Sequence, residues 1–223
     1  MLLRVEQLTK SFQLGGIEQQ VLFDVNLTID EGEFVAITGP SGGGKSTLLT
    51  ILGLLDTPSS GHYQLAGEPT VYFDDELAAA IRNQYFGYVF QSYNLIPQLT
   101  VWENVSLPLT YHAKLKKQER IEKARDYLRQ VDLEEKYNHY PHQLSGGQQQ
   151  RVAIARALIT QPKIIFADEP TGNLDSVNSE NIMGIFKTLN EQGQTIVMVT
   201  HNPAELKYAS RVIQVIDGRV SSC

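Results

Sequence analysis

The sequence predicts an α/β fold with a mainly parallel core sheet, on three observations. Four short apolar runs at residues 34–38, 85–90, 164–167 and 195–200 each end at a polar or glycine cluster, as buried strands do. Helical patterns at 45–55, 118–131, 146–160 and 178–190 separate several of them, which is the rhythm of strands joined by crossover helices. The composition, 42% hydrophobic and 20% charged over 223 residues, is that of a globular chain able to bury one sizeable core.

The elements outside that rhythm fill in the rest. Residues 3–65 are richer in strand patterns, at 4–8, 25–29 and 63–65, and predict a separate N-terminal antiparallel sheet. Between Gln91 and Pro162 the chain reads as helix and loop, so a helical insertion at roughly 92–162 is expected inside a single domain covering 1–223. The stretch 114–129 is dense in charge, but Leu115, Ile121, Leu128 and Val131 form an apolar stripe near helical spacing. An amphipathic helix with a solvated charged face is the expectation there. No internal repeat and no low-complexity tract is present.

Charge and composition also exclude function classes. A net charge of -6 argues against a broad phosphate-neutralising surface, so no nucleic-acid partner is expected. The single cysteine, Cys223, allows no intramolecular disulfide and points to a reducing compartment such as the cytoplasm. The first residues lack the pattern of a secretory signal. The longest uncharged stretch, 83–102, carries Asn83, Gln84, Gln91, Ser92, Asn94, Pro97 and Gln98, too polar a set to span lipid.

The chemistry concentrates in a few strings. Residues 39–47, Gly-Pro-Ser-Gly-Gly-Gly-Lys-Ser-Thr, fit the phosphate-loop pattern G-x-x-x-x-G-K-[ST] between a predicted strand and a predicted helix. The four fixed positions recur by chance in on the order of one chain in a hundred of this length, so the strand-loop-helix setting decides the reading. Gly39, Ser41, Gly42, Gly43 and Gly44 let the backbone wrap a phosphate chain with its N–H groups inward, at the positive end of the following helix. Lys45 is placed to reach the β and γ phosphates, Ser46 to offer a hydroxyl to Mg²⁺, and Thr47 to contact the α phosphate.

The run 164–169 is an apolar strand that delivers Asp168 and Glu169 at its carboxyl end, where open α/β sheets place ligands. Asp168 is the expected magnesium partner and Glu169 the general base facing the attacking water. His201 and Gln91 each follow a predicted strand and are expected at the same edge: His201 on the γ phosphate and water, Gln91 on magnesium and water. Leu144-Ser-Gly-Gly-Gln148 opens another helix with Ser145 as N-cap, and Gly146 and Gly147 admit close approach of a backbone or a phosphate.

These strings, in this order over nearly the whole chain, resemble the ATP-binding subunits of ABC transporters. The resemblance implies an ABC-type phosphate-loop ATPase in which two copies bind ATP head to tail. Ser145, Gly146, Gly147 and Gln148 of one copy would then meet the γ phosphate held by the other's loop. Asn173-Leu-Asp175 looks like the loop crossing that interface, and Phe12 stands where the family often has a tyrosine stacking on adenine, with the stacking face kept. A narrower likeness is to the macrolide-exporter, lipoprotein-release and cell-division ATPases. It is carried by Gly87-Tyr-Val-Phe-Gln-Ser-Tyr-Asn-Leu-Ile-Pro-Gln-Leu-Thr100, Glu103-Asn-Val105 and Ala167-Asp-Glu-Pro-Thr-Gly-Asn-Leu-Asp-Ser176. It implies docking on a separate transmembrane subunit at the cytoplasmic face of the inner membrane, through residues 92–100 with Tyr93, Leu95, Ile96 and Leu99 as apolar anchors. It also implies an adaptor reached through that subunit. A non-transport ABC ATPase regulating an envelope or division process is the alternative that these residues leave open.

Overall fold

The computed structural model describes residues 1–111 and 115–222; Lys114, at the head of the charged stretch, and Cys223 lie outside the described residues. Along the chain the elements are β1 (Leu3–Leu14), β2 (Ile17–Ile29), β3 (Phe34–Thr38), α1 (Lys45–Leu52), β4 (Ser60–Leu65), β5 (Glu68–Pro69), α2 (Asp75–Tyr85), β6 (Phe86–Phe90) and α3 (Val101–Ser106). Then follow α4 (Lys117–Arg129), α5 (Gly146–Leu158), β7 (Ile164–Asp168), α6 (Ser176–Glu191), β8 (Thr195–Val199), β9 (Arg211–Ile216) and β10 (Arg219–Ser222). Two compact units divide them: Met1–Ala80 together with the chain from Asn190 onward, and Ile81–Leu189.

The first unit holds two sheets. One is antiparallel in the order β2-β1-β4-β5, as the strand-rich N-terminal segment predicts. Its first two strands run further than the patterns at 4–8 and 25–29. Gly15 and Gly16, both at positive φ, make a two-residue turn that lets Leu14 pair with Ile17. The strands stay paired through three register shifts, with Gln7 and Asp24 at positive φ near them.

The other sheet of this unit runs β10-β9-β3-β8. β3 pairs in parallel with both β8 and β9, and β8 is buried at every position. A strand enclosed by neighbours and covered on both faces needs apolar residues without alternation, which Phe34-Val-Ala-Ile37 and Thr195-Ile-Val-Met-Val199 supply. β9 and β10 form an antiparallel hairpin absent from the sequence expectation. Its signal was present: Asp217-Gly218, both at positive φ, between alternating apolar residues is the strongest short hairpin pattern.

In the second unit β6 and β7 pair in parallel, with Phe90 opposite Asp168. The expected helix over 118–131 is α4, and its stripe buries Ala124 and Leu128 while Arg129 makes ion pairs with Asp126 and Glu134 on the outside. α5 buries more residues than any other helix described, Val152, Ala153, Ile154 and Ala155 among them. The helix α2, across the boundary between the units, was not expected. Its start is marked by Asp74, whose carboxylate accepts the Leu77 N–H, but it buries no residue, so no apolar stripe announced it.

Asn104 organises the segment that follows Gln91. It is fully buried in α3; its side-chain oxygen accepts the Ile96 N–H and its amide donates to the carbonyls of Ile96, Leu99 and Thr100. An alanine at this position removes the side-chain partner of the Ile96 N–H and of the Leu99 carbonyl, while the Ile96 and Thr100 carbonyls keep the N–H groups of Leu99 and Asn104. Asn104→Ala is expected to lower stability by about 3 kcal/mol. The check is the midpoint of urea unfolding at unchanged slope, with faster proteolysis confined to residues 92–100.

Candidate functional site

The phosphate loop is built by the exit of β3. Thr38 ends that strand opposite Gln214 of β9, and the backbone then turns at Gly39 with φ 142°. A Cβ at Gly39 would lie 2.0 Å from the Val215 carbonyl oxygen, and one at Gly43 would lie 3.0 Å from it. At Gly44, the left-handed residue that starts α1, a Cβ would meet a Leu22 methyl at 2.9 Å. Gly42 has open space around it. The glycines therefore differ: Gly39 is required by a strand carbonyl, Gly43 is crowded by the same oxygen, Gly44 is set by its left-handed backbone beside a movable Leu22 methyl, and Gly42 by backbone conformation alone.

Lys45 is buried, and its ammonium donates to the carbonyls of Gly39 and Pro40 at 3.0 and 2.8 Å. Two carbonyl dipoles that would repel an anion are thereby turned onto a cation, while Ser46 stays exposed and Thr47 half-buried at the helix start. Elsewhere in this unit Phe12 is exposed, with the Lys10 ammonium 4.9 Å from its ring centroid. Lys10 is pinned by Asp56 and by the Thr57 carbonyl, which holds its ammonium over one face of the ring. His201 is exposed just past β8. Its loop is held by buried Glu205, which accepts from the Thr200 hydroxyl at 2.6 Å and from the Asn202 amide at 3.1 Å.

The second unit carries the remaining candidates. Asp168 ends β7 beside the strand that Gln91 follows. Glu169, half-buried, takes φ 46°, a left-handed conformation uncommon for glutamate, and its carbonyl accepts the Gly172 N–H. The fully buried Gln150 of α5 donates to the Pro170 carbonyl and so anchors the loop just beyond Glu169. Gln91 donates to Asn173 Oδ1 at 3.3 Å, and Asn173 donates back to the Gln91 carbonyl at 3.0 Å.

α5 begins as expected. Ser145 accepts the Gln148 N–H, and the Gln148 side chain accepts the Ser145 N–H, a reciprocal capping box. The space at its glycines is filled from the same chain. A Cβ at Gly146 would lie 2.8 Å from the Tyr93 hydroxyl and 3.5 Å from Leu174, and one at Gly147 would lie 2.4 Å from Asn178 Oδ1. Tyr93, expected as a docking anchor, is half-buried and thus also touches this helix start. Asn178 is itself held by Asp175, which accepts its N–H and side-chain amide; those hydrogen bonds keep the Asp175 carboxyl below the usual range. Arg156 escaped the sequence reading altogether. It donates to the carbonyls of Tyr93 and Asn94, both left-handed, and burial lowers its pKa.

A family model described as ABC transporter matches residues 22–172. The chain belongs to this family. As an ABC ATPase cassette it is similar to the ATP-binding protein YvrO of Bacillus subtilis, 47% identical over 98% of this chain and 95% of that protein. It is 49% identical to the macrolide export ATP-binding/permease protein MacB 1 of Yersinia pestis, where the match covers 98% of this chain but 34% of the relative. The solved structure of the ABC transporter cassette MJ0796 in its dimeric form aligns with a TM-score of 0.91 and 46% identity, over 99% of this chain and 97% of that one. A post-hydrolysis dimer of the same cassette with ADP and Pi aligns equally well. The α/β fold with its antiparallel N-terminal sheet, and ATP as the nucleotide that this cassette binds and hydrolyses, agree with the sequence expectation.

Two glycines of the phosphate loop separate packing from conformation. Gly42→Ala is expected to cost about 1 kcal/mol, the strain of a side chain in a left-handed residue. Gly39→Ala is expected to cost 3 kcal/mol or more, about the level of a severe core clash, and to abolish nucleotide binding. Thermal unfolding and titration with a fluorescent ATP analogue measure both.

Proposed function

We propose that the chain is the nucleotide-binding subunit of an ABC transporter complex, a single domain over 1–223 with its helical insertion at roughly 92–162. Two copies close head to tail around two ATP and drive a separate transmembrane permease from the cytoplasmic face of the cell's inner membrane. The observation that carries this is the likeness over 99% of the chain to a cassette solved as a dimer and with hydrolysis products bound. A relative of nearly the same length is an ATP-binding protein by name, while MacB 1 joins ATP-binding and permease parts in one chain. No helix among the described residues is long and apolar enough to cross a membrane.

In this reading the backbone of Gly39, Ser41, Gly42, Gly43 and Gly44 cradles the phosphates, Lys45 exchanges its two carbonyl partners for β and γ oxygens, Thr47 meets the α phosphate and Phe12 stacks on adenine. Ser145, Gly146, Gly147 and Gln148 of the second copy bring their helix start to the γ phosphate. Glu169 takes the proton of the water that attacks the γ phosphorus in line, with His201 and Gln91 orienting the reactants. The left-handed Glu169 backbone and the Gln150 anchor set the main chain from which that carboxylate extends. Magnesium suits the donor set of Ser46, Gln91 and Asp168, which is all hard oxygen. Among the described residues no three His, Cys, Asp or Glu side chains gather to hold a metal alone, which fits an ion that arrives with the nucleotide. When bound, it offsets charge on the phosphate oxygens.

Residues 92–100 form the docking surface for the permease. Ile96 is exposed and Tyr93, Leu95 and Leu99 are half-buried, over the base supplied by Asn104. Export, lipoprotein release and force transmission to an envelope enzyme are the outputs open to such a complex, and an adaptor outside the membrane is reached through the permease.

Glu169→Gln is expected to keep ATP affinity within twofold and to lower turnover by about a thousandfold or more. The same variant should accumulate an ATP-dependent dimer in light scattering. Wild-type specific activity that stays constant on dilution far below micromolar concentration would count against the shared site.

A further inference from the structure

The hydrogen-bonded pair Gln91 and Asn173 joins the loop after β6 to the loop after β7. Asn173 is exposed, so this pairing is not a by-product of core packing. A main-chain carbonyl can only accept, so the Gln91 carbonyl fixes the Asn173 carboxamide with its nitrogen inward. That presents Asn173 Oδ1 to the Gln91 side chain, where only a donor satisfies it, and Gln91 answers with Nε2. The Gln91 oxygen, the atom of that side chain with lone pairs for a hard cation, is thereby turned away from Asn173. Gly172 keeps the arrangement close, since a Cβ there would lie 2.7 Å from Gln91 Nε2 and 3.0 Å from its Cδ.

We infer that Asn173 is a positioning residue for Gln91: it selects which end of the Gln91 carboxamide is offered to the metal–nucleotide complex. This rests on the magnesium assignment of Gln91 made above. A carboxamide without this partner rotates freely between offering oxygen and offering nitrogen, and nitrogen with its two protons repels a cation. Gly172 serves the same end by leaving room for the side chain to lie flat against the loop.

The test uses the full chain with Glu169→Gln, so that ATP persists, and Mn²⁺ as the probe, read by its electron paramagnetic resonance on the protein–ATP complex. Asn173→Leu removes both hydrogen bonds at similar volume. Gly172→Ala crowds Gln91 without touching Asn173. Each is expected to weaken Mn²⁺ binding about fivefold, the worth of one hydrogen bond, with ATP affinity in EDTA unchanged within twofold. Combined with Gln91→Ala, neither should add a further loss. Unchanged Mn²⁺ binding in Asn173→Leu beside a clear loss in Gln91→Ala would overturn the positioning role alone. Unchanged binding in Gln91→Ala itself would overturn the magnesium assignment and the positioning role with it.

Discussion

A main-chain carbonyl oxygen, that of Val215, occupies the space where a side chain at residue 39 would stand, and the phosphate loop depends on it. Because β9 lies against β3, the chain leaving β3 has one way to turn, and only glycine can make the turn. The loop then returns close enough for Lys45 to bind two of its own carbonyls. Those bonds preset the loop's shape before any phosphate arrives, so little ordering is left to do on binding. The loop is stiff because its neighbours are backbone.

The start of α5 works under the opposite condition. Its two glycines are approached by the ends of side chains, a tyrosine hydroxyl and an asparagine oxygen, and these can shift by rotation where a strand carbonyl cannot. Tyr93 belongs to the loop after β6, Leu174 and Asn178 to the region after β7, and Arg156 ties the former back to α5. A displacement of either loop therefore reaches the helix start through side-chain contact. Rigidity thus comes from strand backbone at the phosphate loop, and compliance from side chains at the start of α5.

Much of this was legible beforehand because the relevant signals are local. Apolar runs without alternation identified β3, β6, β7 and β8, and fixed spacings identified the loop, Asp168-Glu169 and the Ser145 cap. The hairpin of β9 and β10 was missed although Asp217-Gly218 marks it, and α2 was missed because a helix with no buried face leaves no stripe to read. The supporting residues were hidden for a different reason. Nothing in the spacing says that Arg156 binds the carbonyls of Tyr93 and Asn94, that Glu205 secures the His201 loop, or that Asn173 pairs with Gln91. Each is a contact between segments distant in sequence, which a pattern of single positions does not encode. The glycines at 146, 147 and 172 advertise close approach without naming what approaches.

The Val215 contact also bears on how the cassette comes into being during synthesis. The phosphate-loop signature is written well before the strand that confines it. Until β9 has left the ribosome, the segment 39–47 has no wall to fold against, and a nascent chain carrying every earlier motif still lacks a formed phosphate cradle.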